Sequence, residues 1–163
     1  YGNALQAACT SGEDQQTIKL LLKAGANVNA QGGKYGSALQ AACTSPQNQQ
    51  IMELLLKAGA DVNAQGGRLG NALQAASYFG TPLIVEMLLK AGADVNAQGG
   101  EYGSALQAAC ALWQGNQQTI ELLLKAGADV NAQGGYHGSA LQAALYRQRY
   151  DIADMLLEAG ATP

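Results

Sequence analysis

The sequence predicts an all-α repeat protein, a solenoid of stacked helix–turn–helix units from which β-hairpin-like finger loops project. The pentapeptide Ala-Leu-Gln-Ala-Ala begins at residues 4, 38, 72, 105 and 140, so it recurs in steps of 34, 34, 33 and 35 residues. A glycine ends each leucine-rich segment, at residues 25, 59, 92, 127 and 160. A repeat with this period indicates a stack of units, none of which buries its apolar face alone.

The first half of each unit has the pattern of a short helix with a polar N-terminal cap. In the segment Ser37–Gln40 the serine hydroxyl is placed to accept from the backbone amide of Gln40, and the Gln40 side chain to reach back to the serine amide. Leu39 and Cys43 then share one helix face. The same capping-box spacing recurs at Asn3/Gln6, Asn71/Gln74, Ser104/Gln107 and Ser139/Gln142.

The second half of each unit has the pattern of a longer helix followed by a tight loop. Ile51 and Leu55 mark the inner face of that helix, and Gly59 is placed to end it as a left-handed residue. The glycine-rich segment 61–67 favours an extended turn, the finger loop. From each helix-ending glycine to the next Ala-Leu-Gln the distance is always 13 residues. A connection of fixed length is one that contacts hold on both sides.

The unit resembles the ankyrin repeat. Ala-Ala, followed by Leu-Leu-Leu-x-x-Gly-Ala-Asp-Val-Asn-Ala, recurs in register over essentially the whole chain. The family's usual Thr-Pro-Leu-His opening is here Ser/Asn-Ala-Leu-Gln, in which glutamine takes over part of the hydrogen bonding. The resemblance implies a single ankyrin-type domain over residues 1–163, with units at approximately 1–30, 31–64, 65–97, 98–132 and 133–163.

The loop sequence carries a narrower resemblance. Asp-Val-Asn-Ala-Gln-Gly-Gly-x-Tyr-Gly in near-identical units is similar to the C-terminal ankyrin arrays of fungal NOD-like (NACHT-type) receptors. In those proteins the array is thought to be the recognition part. Units so alike are also what a designed, consensus-like array would have. The sequence starts and stops within a unit, so we expect it to be part of a longer chain.

The composition of the chain indicates which classes of partner are unfavourable and in which cellular compartment the protein lies. Nine basic and twelve acidic residues give a net charge of −3, which disfavours nucleic acid as a partner. No apolar run is long enough for a membrane span, so we expect no membrane partner. We also expect the protein to be a monomer. Cys9, Cys43 and Cys110 share one unit position, and equivalent residues of stacked helices lie about 8–10 Å apart. That exceeds the ~7 Å Cα limit of a disulfide, so we expect buried free thiols and a cytoplasmic protein.

Catalytic and cofactor patterns fail at particular positions. Gly33-Lys34 does not form a phosphate-binding loop, because that motif needs glycine where Val28 stands and serine or threonine where Tyr35 stands. His137 is the only histidine, which excludes a two-histidine metal site, and it lies at a variable loop position. Cys110 has the pattern of a core residue rather than a nucleophile. We therefore expect no enzyme activity, no cofactor and no metal.

Candidate binding residues are those that differ between units, because invariant positions hold the stack together. They occupy the finger tips and the end of each first helix, two regions that line the concave groove in the ankyrin family. Aromatic residues and arginine are frequent interface hot spots. The predicted partner-binding residues are Lys34, Tyr35, Arg68, Leu69, Tyr78, Phe79, Glu101, Tyr102, Leu112, Trp113, Tyr136, His137, Tyr146 and Arg147.

Two interpretations stay open for the tyrosines and for the protein. Tyr1, Tyr35 and Tyr102 share one loop position, so they either bind a partner or pack against the adjacent finger. The protein is either a non-catalytic recognition module for a protein or peptide ligand, the sensor region of an intracellular receptor, or a structural spacer or designed scaffold without a natural ligand.

Overall fold

The fold, seen in a computed structural model, is described for residues 2–11, 15–112 and 117–163, and in these residues it consists of ten α-helices in five pairs. The first helices of the pairs are α1 (Ala4–Ser11), α3 (Ala38–Ala42), α5 (Ala72–Tyr78), α7 (Ala105–Cys110) and α9 (Ala140–Tyr146). The second helices are α2 (Gln15–Lys23), α4 (Gln49–Lys57), α6 (Pro82–Lys90), α8 (Gln117–Lys125) and α10 (Tyr150–Glu158). A 3-10 helix, Pro46–Asn48, precedes α4. The predicted all-α repeat fold is confirmed.

The pairs stack so that each first helix contacts the first helix of the next unit. Contacts join α1 to α3, α3 to α5, α5 to α7 and α7 to α9, and the second helices α2, α4, α6 and α8 also contact in succession. Alanines such as Ala41 and Ala42 are fully buried between them, which lets the helices approach closely. Leu55 and Leu88 of the second helices complete one continuous core. Each unit thereby buries an apolar face that it cannot bury alone.

The helix ends follow the sequence pattern. Ser37 Oγ accepts from the backbone amide of Gln40 at 3.2 Å, and Ser104 and Ser139 cap their helices in the same way. Gly59 has φ of +85° and donates its amide to Leu56 O, which ends α4. A left-handed residue at this point is glycine's usual role, since it has no side chain to clash.

The glutamine of the capping box has a different role from the one the sequence predicts. Only at Gln74 does the side chain reach back to the cap amide within the described residues. Gln40 instead turns outward, and its Nε2 donates to Gly66 O at 2.9 Å and to Gly70 O at 2.8 Å, both in the next finger. The prediction of a full box in every unit is therefore wrong: the side-chain nitrogen of Gln40 bonds to the following unit, and the side-chain oxygens of Gln40 and Gln107 accept no hydrogen bond within the described residues. Equivalent outward bonds are made by Gln6, Gln74 and Gln107.

A second ladder of amide side chains joins the loops that follow the second helices. Asn29 Nδ2 donates to Gly59 O at 3.0 Å, and Asn29 Oδ1 accepts from the Asp61 amide at 2.7 Å. Asp61 Oδ1 in turn accepts from the Asn63 amide at 2.9 Å, so the aspartate forms the turn as its recurrence suggests. The same pattern starts again at Asn63, Asn96 and Asn131. These bonds and the glutamine bonds fix the register between units.

Thr119 is a polar residue buried in this core. It is fully buried, and its hydroxyl has no hydrogen-bond partner among the described residues. An unpaired buried hydroxyl costs about 1–3 kcal/mol. We therefore expect Thr119→Val to raise the free energy of unfolding by about 1 kcal/mol and the melting midpoint by about 2–4 °C. Differential scanning calorimetry measures both, with Thr17→Val, at the half-buried equivalent position, as the control that gains nothing. A loss of stability in Thr119→Val would show that the hydroxyl is paired.

Candidate functional site

The finger loops form a continuous row along the stack. Within a finger, Gly66 donates its amide to Gly70 O at 2.7 Å, which closes a tight hairpin-like loop. Between fingers, the Arg68 amide donates to Lys34 O at 2.9 Å, and the Glu101 amide donates to Arg68 O at 2.9 Å. The Tyr136 amide continues the ladder to Glu101 O at 2.8 Å. The variable side chains of successive fingers are therefore held side by side on one backbone ladder.

The glycines of the finger loops allow this close approach. Gly100 has φ of +62°, and a Cβ built on it would lie 2.6 Å from the Gly70 amide nitrogen, and still closer to the Leu69 carbonyl carbon. Gly67 and Gly135 meet the preceding finger in the same manner. Because backbone lies against backbone, no side chain fits between adjacent fingers. The invariant glycines position the variable residues.

The central part of the surface is an aromatic cluster with an ion pair. The rings of Tyr78 and Tyr102 stack at 4.8 Å with an interplanar angle of 20°, and the Phe79 ring meets Tyr78 edge-on at 5.2 Å. The Arg68 guanidinium lies 6.0 Å from the centre of the Tyr78 ring and pairs with Glu101 at 2.8 Å. Burial, and then the hydrogen bond to Tyr78, raise the pKa of the Tyr102 hydroxyl. Tyr102 is therefore neutral, and Arg68 and Glu101 are the charged residues of the cluster.

The last unit carries a second cluster with greater exposure. His137 lies between two tyrosine rings, 5.0 Å from Tyr136 and 4.9 Å from Tyr146, and the Arg147 guanidinium lies 5.6 Å from the centre of the Tyr146 ring. Tyr136 is 74% exposed and Tyr146 is 66% exposed. Burial, and then the positive charge of Arg147, lower the pKa of His137. At neutral pH the cluster thus carries one positive charge, on Arg147.

A small pocket lies near the other end of the surface. Its lining residues are Lys34, Tyr35, Arg68, Leu69 and Phe79. The Lys34 ammonium lies 5.5 Å from the centre of the Tyr35 ring. The pocket holds about 30 Å³, far below the roughly 300 Å³ of a small-molecule site. It accommodates the tip of one side chain rather than a whole ligand.

The structure separates the predicted binding residues into contact and packing positions. Tyr35, Tyr78 and Tyr102 are half-buried and pack against the core, which supports the packing interpretation for Tyr35 and Tyr102. Leu69 is only 6% exposed, so it is more buried than expected from the sequence, although it lines the small pocket; its role as a contact residue stays a prediction. Leu112 is half-buried at the end of its unit's first helix.

Two of the sequence-based expectations, for Tyr1 and Trp113, concern residues that lie outside the described ones. What remains exposed or half-exposed in the finger tips and helix ends is called the variable face below. It consists of Lys34, Tyr35, Arg68, Tyr78, Phe79, Glu101, Tyr102, Leu112, Tyr136, His137, Tyr146 and Arg147.

Neither a metal-binding cluster nor an exposed cysteine thiol is present among the described residues. No group of three or more His, Cys, Asp or Glu side chains there converges to hold a metal ion. Cys110 is buried, and this burial raises the pKa of its thiol to about 12, so it is not the thiolate that a Cys–His nucleophile needs. Cys9 and Cys43 are likewise buried free thiols, as expected. Within the described residues, no helix combines the length and apolar character that crossing a membrane requires.

Comparison with known proteins identifies the unit. The family model described as Ankyrin repeats (3 copies) matches residues 1–66 and 70–163. No curated protein gives a match. Ankyrin repeats are non-catalytic modules that generally mediate interactions between proteins. The match extends over nearly the whole chain, and the helix pairs, glycine ends and finger loops follow the same period, so the chain belongs to the ankyrin repeat family.

Proposed function

We propose that the chain is a recognition module that binds a protein or peptide ligand on its concave face, through the variable face. The observation that carries the proposal is the row of aromatic and charged side chains at positions where the units differ from one another. Phe79, Tyr136 and Tyr146 are exposed, although the units that present them are otherwise nearly identical. A packing role would favour the same residue in every unit, whereas a binding role favours variation.

The backbone ladder supports the same proposal in energetic terms. Because the fingers are hydrogen-bonded to one another, little conformational freedom is lost when a partner contacts their side chains. Stacked aromatic rings, such as Tyr78 on Tyr102, are already in fixed positions before binding. Rigid aromatic side chains give large contact area at low entropic cost. The surface is therefore suited to an extended partner that crosses several units.

A selection experiment with a matched pair of variants tests the recognition role. The chain is used to select binders from a displayed library of random twelve-residue peptides, and the dissociation constants of the recovered peptides are measured by fluorescence anisotropy. We expect Phe79→Ala to raise Kd by about 30-fold, since truncation of an aromatic anchor costs roughly 2 kcal/mol. Tyr150, which is 64% exposed and outside the variable face, provides the control. Tyr150→Ala should leave Kd within about twofold of wild type.

The thermal midpoint distinguishes a lost contact from a lost fold. Phe79 is 37% exposed at the end of α5, so its truncation leaves no large cavity, and we expect the midpoint to stay within about 3 °C. A Phe79→Ala variant that binds every recovered peptide as wild type does would contradict the assignment. A library that gives no binder at all would favour the alternative, a spacer or designed scaffold without a ligand.

We further propose that this module is the sensor region of an intracellular receptor. The support is the likeness of the loop sequence to the arrays of fungal NOD-like receptors, together with three buried free cysteines, which are typical of reducing compartments. The test is localisation of the full-length protein that carries this segment by fluorescence microscopy. A secreted protein would contradict the receptor proposal without affecting the recognition role.

A further inference from the structure

Charge is unequally divided between the variable face and the rest of the chain. The variable face has three cations, Lys34, Arg68 and Arg147, and one anion, Glu101, with His137 neutral. The rest of the sequence has six cations and eleven anions. A protein of net charge −3 thus carries a net positive charge on this one surface. A charged surface raises the association rate of partners of opposite charge and disfavours the binding of partners of the same charge.

Two of the three cations have no acidic partner among the described residues. Arg68 is paired with Glu101 at 2.8 Å, whereas Lys34 and Arg147 each lie over a tyrosine ring and make no ion pair there. The Nε atom of Arg147 is buried and has no hydrogen-bond partner within the described residues, so a partner from outside meets the terminal nitrogens of the guanidinium. Hydrogen bonds from a guanidinium or an ammonium to a carboxylate are charge-assisted and stronger than those between neutral groups. Both unpaired cations are placed to receive carboxylates from outside.

The two unpaired cations are separated along the stack. Lys34 is in the second unit and Arg147 in the fifth, so three unit steps of about 8–10 Å lie between them. An extended peptide advances about 3.3 Å per residue, so about eight residues span that distance. The small pocket beside Lys34 is lined by Tyr35, Leu69 and Phe79 as well as by the cations Lys34 and Arg68, and it has room for the tip of one aliphatic or aromatic side chain.

We propose that the ligand of the variable face is an extended acidic peptide segment. It carries carboxylates about eight residues apart, one on Lys34 and one on Arg147, with an apolar anchor in the pocket close to the first of them. This inference rests on the proposed recognition function and names the chemistry of its ligand. Phosphate backbones would meet the same cations, but only three cations stand against eleven anions elsewhere, and nucleic-acid binding depends on many phosphate contacts.

The peptide library also tests whether the ligand of the variable face is negatively charged. We expect the recovered peptides to be enriched in sequences of net charge −2 or below that contain an aliphatic or aromatic residue near one acidic end. The Kd of a recovered peptide should rise about tenfold between 50 and 300 mM NaCl, because exposed ion pairs are screened. A single-stranded twelve-nucleotide DNA is the competitor, and it should bind at least tenfold more weakly than the peptide.

Charge-reversal variants locate the effect. Lys34→Glu combined with Arg147→Glu should raise the Kd of the acidic peptide by at least about 30-fold. Lys57→Glu combined with Lys125→Glu changes the net charge equally, at exposed residues of the second helices, and should change Kd by less than about threefold.

The outcomes separate this inference from the function on which it rests. Recovered peptides that are neutral or basic, yet lose affinity in Phe79→Ala, would overturn the acidic ligand and leave the recognition module standing. Peptides that respond to neither Phe79→Ala nor the charge reversal, or no peptides at all, would overturn both. Tighter binding of the oligonucleotide than of any acidic peptide would also overturn this proposal.

Discussion

Replacing Gln74 by alanine is expected to lower the free energy of unfolding by about 3 kcal/mol. The side chain is 1% exposed, and its Nε2 donates to Gly99 O at 3.0 Å and to Gly103 O at 2.8 Å. Its Oε1 accepts from the Asn71 amide at 2.8 Å. Alanine leaves Gly99 O and the Asn71 amide without these partners, whereas Gly103 O keeps the bond from the Gly99 amide. Each buried unpaired group costs about 1–3 kcal/mol. Some of them regain partners by relaxation, so the sum is an upper bound.

The last unit supplies the matched control for this change. Gln142 occupies the same unit position, but its side chain is exposed and makes no hydrogen bond to a finger loop within the described residues. Ser139 caps α9 through the backbone amide of Gln142, which the substitution leaves intact. We therefore expect Gln142→Ala to cost less than about 0.5 kcal/mol. Urea denaturation followed by far-UV circular dichroism measures both variants, and equal losses would show that the glutamine acts only within its own helix.

The architecture was predictable because one period repeats at every level of the sequence. Three kinds of signal indicate the same repeat unit: the capping residues Ser37 and Asn71, the apolar helix faces and the helix-ending Gly59. Such agreement between local signals is what specifies a fold. Helix ends followed from the chemistry of these residues alone. The unit boundaries proposed from the sequence remain a prediction, since a continuous stack has no natural point of division.

The role of the glutamine was missed, although the sequence held a signal for it. The spacing of Ser37 and Gln40 fits a capping box, and spacing cannot tell whether an amide turns back to its own helix or outward to the next unit. Glutamate serves a capping box as well as glutamine does. All five units nevertheless have glutamine. Only the amide can donate to two carbonyls, so the absence of glutamate indicates that a donor is needed.

The candidate site was predictable in part. Non-recurrent aromatics such as Phe79 and Tyr136 stand out against otherwise similar units, and the structure leaves both exposed. The burial of Leu69 was not foreseen, because it shares a position with Tyr35 and Tyr102, whose hydroxyl groups keep part of the side chain near the surface. A leucine at this position has no polar group that would keep it near the surface, and Leu69 is buried in the core. Variation between units therefore marks surface positions only when the side chains are too large or too polar to bury.

Replacing Gly100 by alanine is expected to destabilise the chain by about 4 kcal/mol. Its φ of +62° is unfavourable for a residue with a side chain, at about 1–2 kcal/mol. The added Cβ would also lie 2.6 Å from the Gly70 amide nitrogen, and backbone cannot move aside as a flexible side chain does. Overpacking of this kind costs about 1–3 kcal/mol. The two fingers must separate, which breaks the bond between the Glu101 amide and Arg68 O.

The substitution Gly92→Ala is the control that separates the cost of the steric clash from the cost of backbone strain. Gly92 has φ of +89°, but a Cβ at this position would meet nothing within 4 Å. Gly92→Ala should therefore cost only the conformational term, about 1–2 kcal/mol. Urea denaturation gives the two free energies, and hydrogen exchange at the Glu101 amide gives a local measure, with protection lost in Gly100→Ala and kept in Gly92→Ala. Equal costs, with Glu101 protected in both variants, would mean that the fingers are not in close contact. In that case the variable side chains would have no common support, and the rigid surface on which the recognition role depends would be absent.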